Sequence, residues 1–208
     1  VTTLPEWLAP GAVTDRLFDV RAEAGRAIGF GLVRPRRSGL ENTMSQIAFA
    51  KLNPVKPVDD GVRTACGWPV TARDYRIIPA PGVPDVTSIG RLFGDYDAAV
   101  RPHQKLLGAV FTFPFVSDVP VHDGFGAVLS YAALRFGRER RLTSFVVAHA
   151  PCDQLAEEAP HAHAIVLGRT HRASGWGPPH PDLAESEHAM WAEDWADFSA
   201  RWALTLGQ

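Results

Sequence analysis

The sequence predicts an α+β fold in which an antiparallel sheet is flanked by helices. Three observations carry that expectation. From residue 105 to the end, apolar patterning reads strand, helix, strand, strand, helix. Two of those strands are joined by a polar, Pro-bounded stretch over residues 151–160, which folds them into an antiparallel pair. The last segment repeats Trp191, Trp195, Phe198 and Trp202 at spacings of four, three and four, one face of a helix.

Taken in order, residues 1–104 are rich in Pro and Gly, with few periodic segments. Residues 15–28 have apolar positions compatible with a helix, and residues 44–51 form a second, shorter one. Residues 53–58 and 79–84 are Pro-punctuated connections. Residues 106–115, Leu-Leu-Gly-Ala-Val-Phe-Thr-Phe-Pro-Phe, read as a strand ending near Pro114. Asp123 caps a helix reaching about Phe136, with Phe125, Val128, Leu129, Ala132 and Leu134 as its apolar set and Gly137 as its stop. A strand over residues 143–149 ends at His149, and a second begins at His161. A turn at residues 175–179 (Gly-Trp-Gly-Pro-Pro) precedes the final helix over residues 186–206.

Composition narrows the class. The chain has 208 residues, 46% hydrophobic and 21% charged, which suits one compact domain with a buried core. It contains no apolar run of eighteen residues, so no membrane-spanning helix is expected, and no secretory signal pattern precedes Trp7. The two cysteines, Cys66 and Cys152, make no disulfide framework; a cytoplasmic location and bystander thiols follow. The net charge of −2 argues against a protein that coats nucleic acid non-specifically. Arg34-Pro35-Arg36-Arg37 and Arg135, Arg138, Arg140 and Arg141 nevertheless form two basic clusters.

The chemistry concentrates in histidines. His161 and His163 are two apart on a strand and so share a face, and pairing with the upstream strand brings His149 beside them. Three neutral imidazoles can hold a divalent ion and leave positions open for substrate or water. A single His on a strand is usually a satisfied polar residue; an alternating pair with a third on the neighbouring strand points to a metal. His171, His180 and His188 are expected on loop or helix surface, and His103 and His122 carry no motif.

His-x-His pairs occur in several families. Cupins follow theirs with a Glu, absent from Ala164-Ile165-Val166-Leu167-Gly168; histidine-triad nucleotide hydrolases need a third alternating His where Ile165 stands. Amidohydrolases place the pair early in a long barrel, unlike this chain. Residues 105–202 instead resemble the second half of the HUH-type relaxases, particularly the MobA/MobL plasmid mobilisation nucleases. The resemblance is carried by Phe111-Thr112-Phe113-Pro114, Val146-Val147-Ala148-His149, Pro160-His161-Ala162-His163-Ala164-Ile165-Val166, Arg169, Gly175-Trp176-Gly177, and Trp191 with Trp195. It covers about half the chain; residues 1–104 are a poorly matched half or extension, and residues 105–208 carry the relaxase-like part.

That resemblance implies a relaxase-like palm in which His149, His161 and His163 bind one Mg²⁺ or Mn²⁺, with Zn²⁺ also compatible. It implies single-stranded DNA as substrate, nicking and strand transfer through a 5′-phosphotyrosine, and other plasmid-transfer proteins as partners. Of three tyrosines, Tyr131 falls within the predicted helix and Tyr96 lies between Asp95 and Asp97, whose charges repel phosphate. Tyr75, in Ala72-Arg73-Asp74-Tyr75-Arg76, has two arginines beside it and is the candidate nucleophile. Arg73, Arg76 and Arg169 are the candidate DNA contacts. Two other readings stay open: a catalytically inactive relaxase-like DNA-binding accessory protein, and an unrelated His-ligated metallohydrolase.

Overall fold

The computed structural model describes residues 4–19, 28–84, 86–115, 119–150 and 159–205. Along the chain run helix α1 (Pro10–Arg16), strands β1 (Phe18–Asp19), β2 (Gly29–Val33), β3 (Arg36–Arg37) and β4 (Leu40–Glu41), and helix α2 (Met44–Leu52). Strand β5 (Asp74–Ile78), helix α3 (Ile89–Ala98), strand β6 (Gly108–Pro114) and helix α4 (Val121–Tyr131) follow. The last part holds β7 (Ser144–His149), β8 (His161–Leu167), β9 (Arg169–Arg172), β10 (Gly175–Pro179) and helix α5 (His188–Thr205).

Six strands form one sheet in the order β1-β2-β6-β8-β7-β5, every neighbouring pair antiparallel. Strands from both halves of the sequence interleave in it, since β2 and β5 flank the β6-β8-β7 centre. Helices cover both faces, and this explains why the central strands read as continuous apolar runs rather than alternating ones. On one face Phe111, Phe113, Val146 and Ala164 meet Tyr131, Phe136, Trp191 and Trp195 of the C-terminal helices. On the other, Phe145, Val147 and Ile165 meet Ile47, Leu52, Leu92 and Phe93 from α2 and α3. Each fully buried Val, Leu, Ile or Phe among them contributes about 1.5–3 kcal/mol.

Helix α2 packs on this second face through Ile47, Phe49 and Leu52, and its N-terminus is doubly capped. The Thr43 hydroxyl accepts from the Gln46 amide, and the Asp97 carboxylate of α3 accepts from the amides of Met44 and Ser45 at 2.8 and 3.0 Å. Close approach also needs Gly108: a Cβ there would lie 2.4 Å from the Val166 carbonyl oxygen and 2.7 Å from Met44 Cε. The C-terminal end of α2 is thereby delivered to the edge where β7 ends and β8 begins.

The α+β class and antiparallel sheet are as the sequence predicts, with differences in detail. The helix expected over residues 15–28 is displaced: α1 ends at Arg16, and Phe18–Asp19 pair with Leu32 and Gly31; residues 20–27 lie outside the described residues. Pro120, not Asp123, stands at the start of α4, and Asp123 lies in its first turn. Gly137 does not stop that helix, which continues as a π-helical turn over Ala132–Arg138. Gly175–Pro179 pairs with β9 as a strand. His171 and His188 are buried, not surface residues. His171 shares a 2.9 Å hydrogen bond with Thr143 and stacks on Trp176, and His188 Nε2–H donates to the Ile28 carbonyl. Cys152 and most of the 151–160 connection lie outside the described residues.

Candidate metal centre

The register of β7 and β8 makes His149 and His161 direct partners, with Val147 opposite His163. Alternation then sets all three histidines on the α2 face of the sheet. Their rings stand 4.7–5.0 Å apart, centroid to centroid, with interplanar angles of 75–80°. One nitrogen from each lies within 4.8 Å of the others, and among the described residues no other group of three such ligands is found.

Each ring is held by a nitrogen on its outer side. His149 Nε2–H donates to the Lys51 carbonyl oxygen (2.7 Å), one of the last carbonyls of α2, which lack an intrahelical donor. His161 Nδ1–H donates to the Ala159 carbonyl (2.8 Å). His163 Nδ1 shares a 3.0 Å hydrogen bond with the Thr112 hydroxyl, and its Nε2 accepts from the Lys51 ammonium at 3.3 Å. These partners assign the tautomers. The lone pair is on Nδ1 of His149 and on Nε2 of both His161 and His163.

The Nε2 atoms of His161 and His163 face each other at 3.2 Å. Two nitrogens bound to one ion at about 2.1 Å stand roughly 3.0–3.4 Å apart in octahedral or tetrahedral geometry. One ring nitrogen tied to a carbonyl or hydroxyl, leaving the other for the ion, is the usual arrangement of metal-ligating imidazoles. Electrostatics agrees. Burial pushes His149 down to about 4, with the carbonyl bond from Lys51 opposing and the neighbouring positive groups assisting. Burial, then the Lys51 charge, pushes His163 well below its ordinary value. Both rings are neutral at pH 7, the state a metal requires. The residues present therefore fit a divalent ion.

The histidines open into a cleft of about 920 Å³, lined also by Leu17, Gly29, Gly31, Ala50, Val55 and Thr112. Lys51 and Thr112 belong to this site and escape sequence reasoning, because neither has a motif. Thr112 alternates along a strand that is legible in the sequence, but only the β6–β8 register, Thr112 opposite His163, brings it to the ring.

The tyrosines separate. Tyr131 is fully buried on the opposite face and donates to Asp194 at 2.9 Å; burial and that carboxylate raise its pKa strongly. Tyr96 is fully buried, donates to the Leu107 carbonyl at 2.6 Å, and is pushed up to about 12, chiefly by burial. Tyr75 is half-buried on the same sheet face as the histidines, opposite Val147, which is itself opposite His163. That is two strand spacings from His163, about 9–10 Å. Its ring packs 6.0 Å from Phe145, so the structure brings it to the face but not into contact with the imidazoles.

The arginines separate too. Arg73 is exposed, one residue before β5, and its amide donates to the Ala148 carbonyl; strand parity puts it on the histidine face beside His149. Arg76 has the opposite parity and is tied to Asp74. Arg169 is not brought to this site. It follows the far end of β8, is 4% exposed, and donates to the carbonyls of Ala99, Trp176 and Gly177 at 2.6–2.8 Å. Its role in the structure is to tie the β9–β10 hairpin to the end of α3.

Among the described residues no helix is long and apolar enough to cross a membrane. No protein-family model matches the sequence, and no curated protein matches it. A solved structure described as the molecular basis of vancomycin resistance transfer in Staphylococcus aureus matches with a TM-score of 0.53 at 12% identity, over 65% of this chain and 72% of that one. At that identity the likeness is one of fold: this chain shares its sheet-and-helix architecture with a protein of resistance transfer.

Proposed function

We propose that the chain is a metal-dependent, relaxase-like enzyme that nicks single-stranded DNA and transfers the strand, serving plasmid mobilisation or replication. One observation carries the reading: three imidazoles, each tied through one nitrogen to a carbonyl or hydroxyl, offer ligand nitrogens within 4.8 Å of one another in the lining of a cleft. The shared fold with a resistance-transfer protein supports it.

In this reading His149, His161 and His163 hold one Mg²⁺ or Mn²⁺. An ion held there would supply Lewis-acid polarisation of a scissile phosphate and stabilisation of charge on its non-bridging oxygens. The Tyr75 hydroxyl oxygen attacks phosphorus, the bond to the 3′-oxygen breaks, and the phenolic proton ends on that oxygen as a 3′-hydroxyl. A 5′-phosphotyrosine keeps the bond energy, and attack by a new 3′-hydroxyl reverses the step. Reaching the phosphate requires the Tyr75 ring to turn from Phe145 toward the histidines. Arg73 supplies a charge-assisted contact to the DNA backbone at the rim.

The packing of Tyr75 against Phe145 favours one second reading, a DNA-binding accessory protein that does not cut. A pool of 3′-labelled, randomised single-stranded oligonucleotides with Mn²⁺ separates the two. The enzyme gives a covalent protein–DNA adduct that Tyr75→Phe abolishes. Salt-sensitive DNA retention without any adduct identifies the accessory protein, and an adduct that persists in Tyr75→Phe removes Tyr75 as nucleophile.

A further inference from the structure

Strand β8 leads away from the histidines, and past its far end, roughly 20 Å along the strand, lies a second cavity of about 380 Å³. Pro84, Val86, Leu92 and Trp176 give it apolar walls, and His171, Arg91 and Asp95 supply polar groups. His171 is buried, which lowers its pKa and keeps the ring neutral at pH 7. The Thr143 hydroxyl is fully buried and accepts from the Ala80 amide at 3.0 Å, so its own proton goes to His171 Nδ1 at 2.9 Å. The ring hydrogen is then on Nε2, the donor His171 has left for the cavity. Trp176, stacked on the ring at 3.7 Å, fixes its orientation.

Arg91 and Asp95 stand one turn apart on α3, with Arg91 Nε 3.5 Å from Asp95 Oδ2. That contact leaves the terminal guanidinium nitrogens and Oδ1 for a ligand. The two charges cancel and His171 is neutral, so this group of three suits an uncharged ligand with acceptors and donors side by side better than it suits an anion.

We propose that this cavity binds a guanine base. Guanine O6 and N7 accept from Arg91 and from His171 Nε2–H, the neighbouring N1–H and exocyclic amine donate to Asp95, and the ring lies against the apolar walls. Adenine has an amine where guanine has O6, and pyrimidines lack N7. A free nucleotide and a single-stranded DNA present the same base. The site is separate from the histidines and does not rest on their reading as a metal centre.

An NMR titration of the full chain in a chelating buffer tests this by following the Trp176 indole N–H, identified by its loss in Trp176→Phe. Deoxyguanosine monophosphate should move that signal to saturation, and the adenine and thymine nucleotides, which carry the same phosphate, should bind about tenfold more weakly. Asp95→Asn and Arg91→Met change exposed side chains, and each should weaken guanine binding about tenfold. His171→Phe removes the Nε2–H donor and keeps an aromatic ring beside Trp176; it should weaken binding in the same way. An octathymidylate with one guanine in place of a thymine identifies a DNA strand as the source if it binds more tightly than the mononucleotide, and a free nucleotide if it does not. An indole signal that does not move, equal affinity for all the nucleotides, or guanine binding unchanged in both Asp95→Asn and Arg91→Met would overturn the proposal. The chelator keeps divalent ions from the histidines, so none of these outcomes bears on the metal centre.

Discussion

His149 and His161 are register partners across β7 and β8, and their rings meet nearly edge to face at 5.0 Å. A connection of eleven residues therefore turns a spacing in sequence into one cluster in space. The partners that fix the outer nitrogens come from elsewhere: the end of α2, the centre of β6 and the residue two before His161.

Buried neutral imidazoles make stability depend on pH. His149 is held near 4 by burial and His163 is lowered in the same direction, against an unfolded value near 6.5. The unfolded chain therefore binds more protons than the folded one in the window between. Stability from these groups is fully present above about pH 6.5 and is lost as pH falls toward 4, by an amount on the order of 1–3 kcal/mol. Urea unfolding of the metal-free protein from pH 8 to pH 4.5 should show that decline. His149→Gln should flatten part of it.

Thr112 orients His163 through its hydroxyl. Thr112→Val keeps the β-branched shape on β6 but removes the hydrogen bond. Mn²⁺ affinity should fall about tenfold, the usual effect of losing a group that positions a ligand, with little change in fold. Far-UV circular dichroism and calorimetry on the same sample check both halves.

The strands β7 and β8 were legible because their residues agree at every level: β-branched or apolar side chains, histidines of matching parity, and Pro at the boundary. Strand β2 was not, since Gly29 and Gly31 weaken the strand signal and the pairing that stabilises it, with β6, is distant in sequence. Strand β5 escaped because Asp74 and Arg76 interrupt its apolar residues. Helix α3 escaped because Gly90 and Gly94 dilute its pattern, although Ser88 caps it. The histidine cluster was readable from spacing alone. Lys51 and the remoteness of Arg169 were not, because both depend on which element packs where.

Arg169 gives a prediction of the opposite kind. Its guanidinium satisfies three carbonyls from two parts of the chain, so Arg169→Ala leaves buried acceptors without donors. Stability should fall by about 3 kcal/mol or more, read as a lower denaturation midpoint. The DNA affinity of the protein that remains folded should be unchanged. Arg169→Lys should rescue little, because an ammonium cannot reach three carbonyls in a planar fork.

The central claim is that His149, His161 and His163 share one divalent ion. Titrating Mn²⁺ into the metal-free protein at pH 7.5 tests it most directly, with His161→Ala as the comparison. One ion per chain in the wild type, with affinity lowered at least about a hundredfold in His161→Ala, is the expected result. Equal uptake by the two proteins, or none by the wild type, would contradict it.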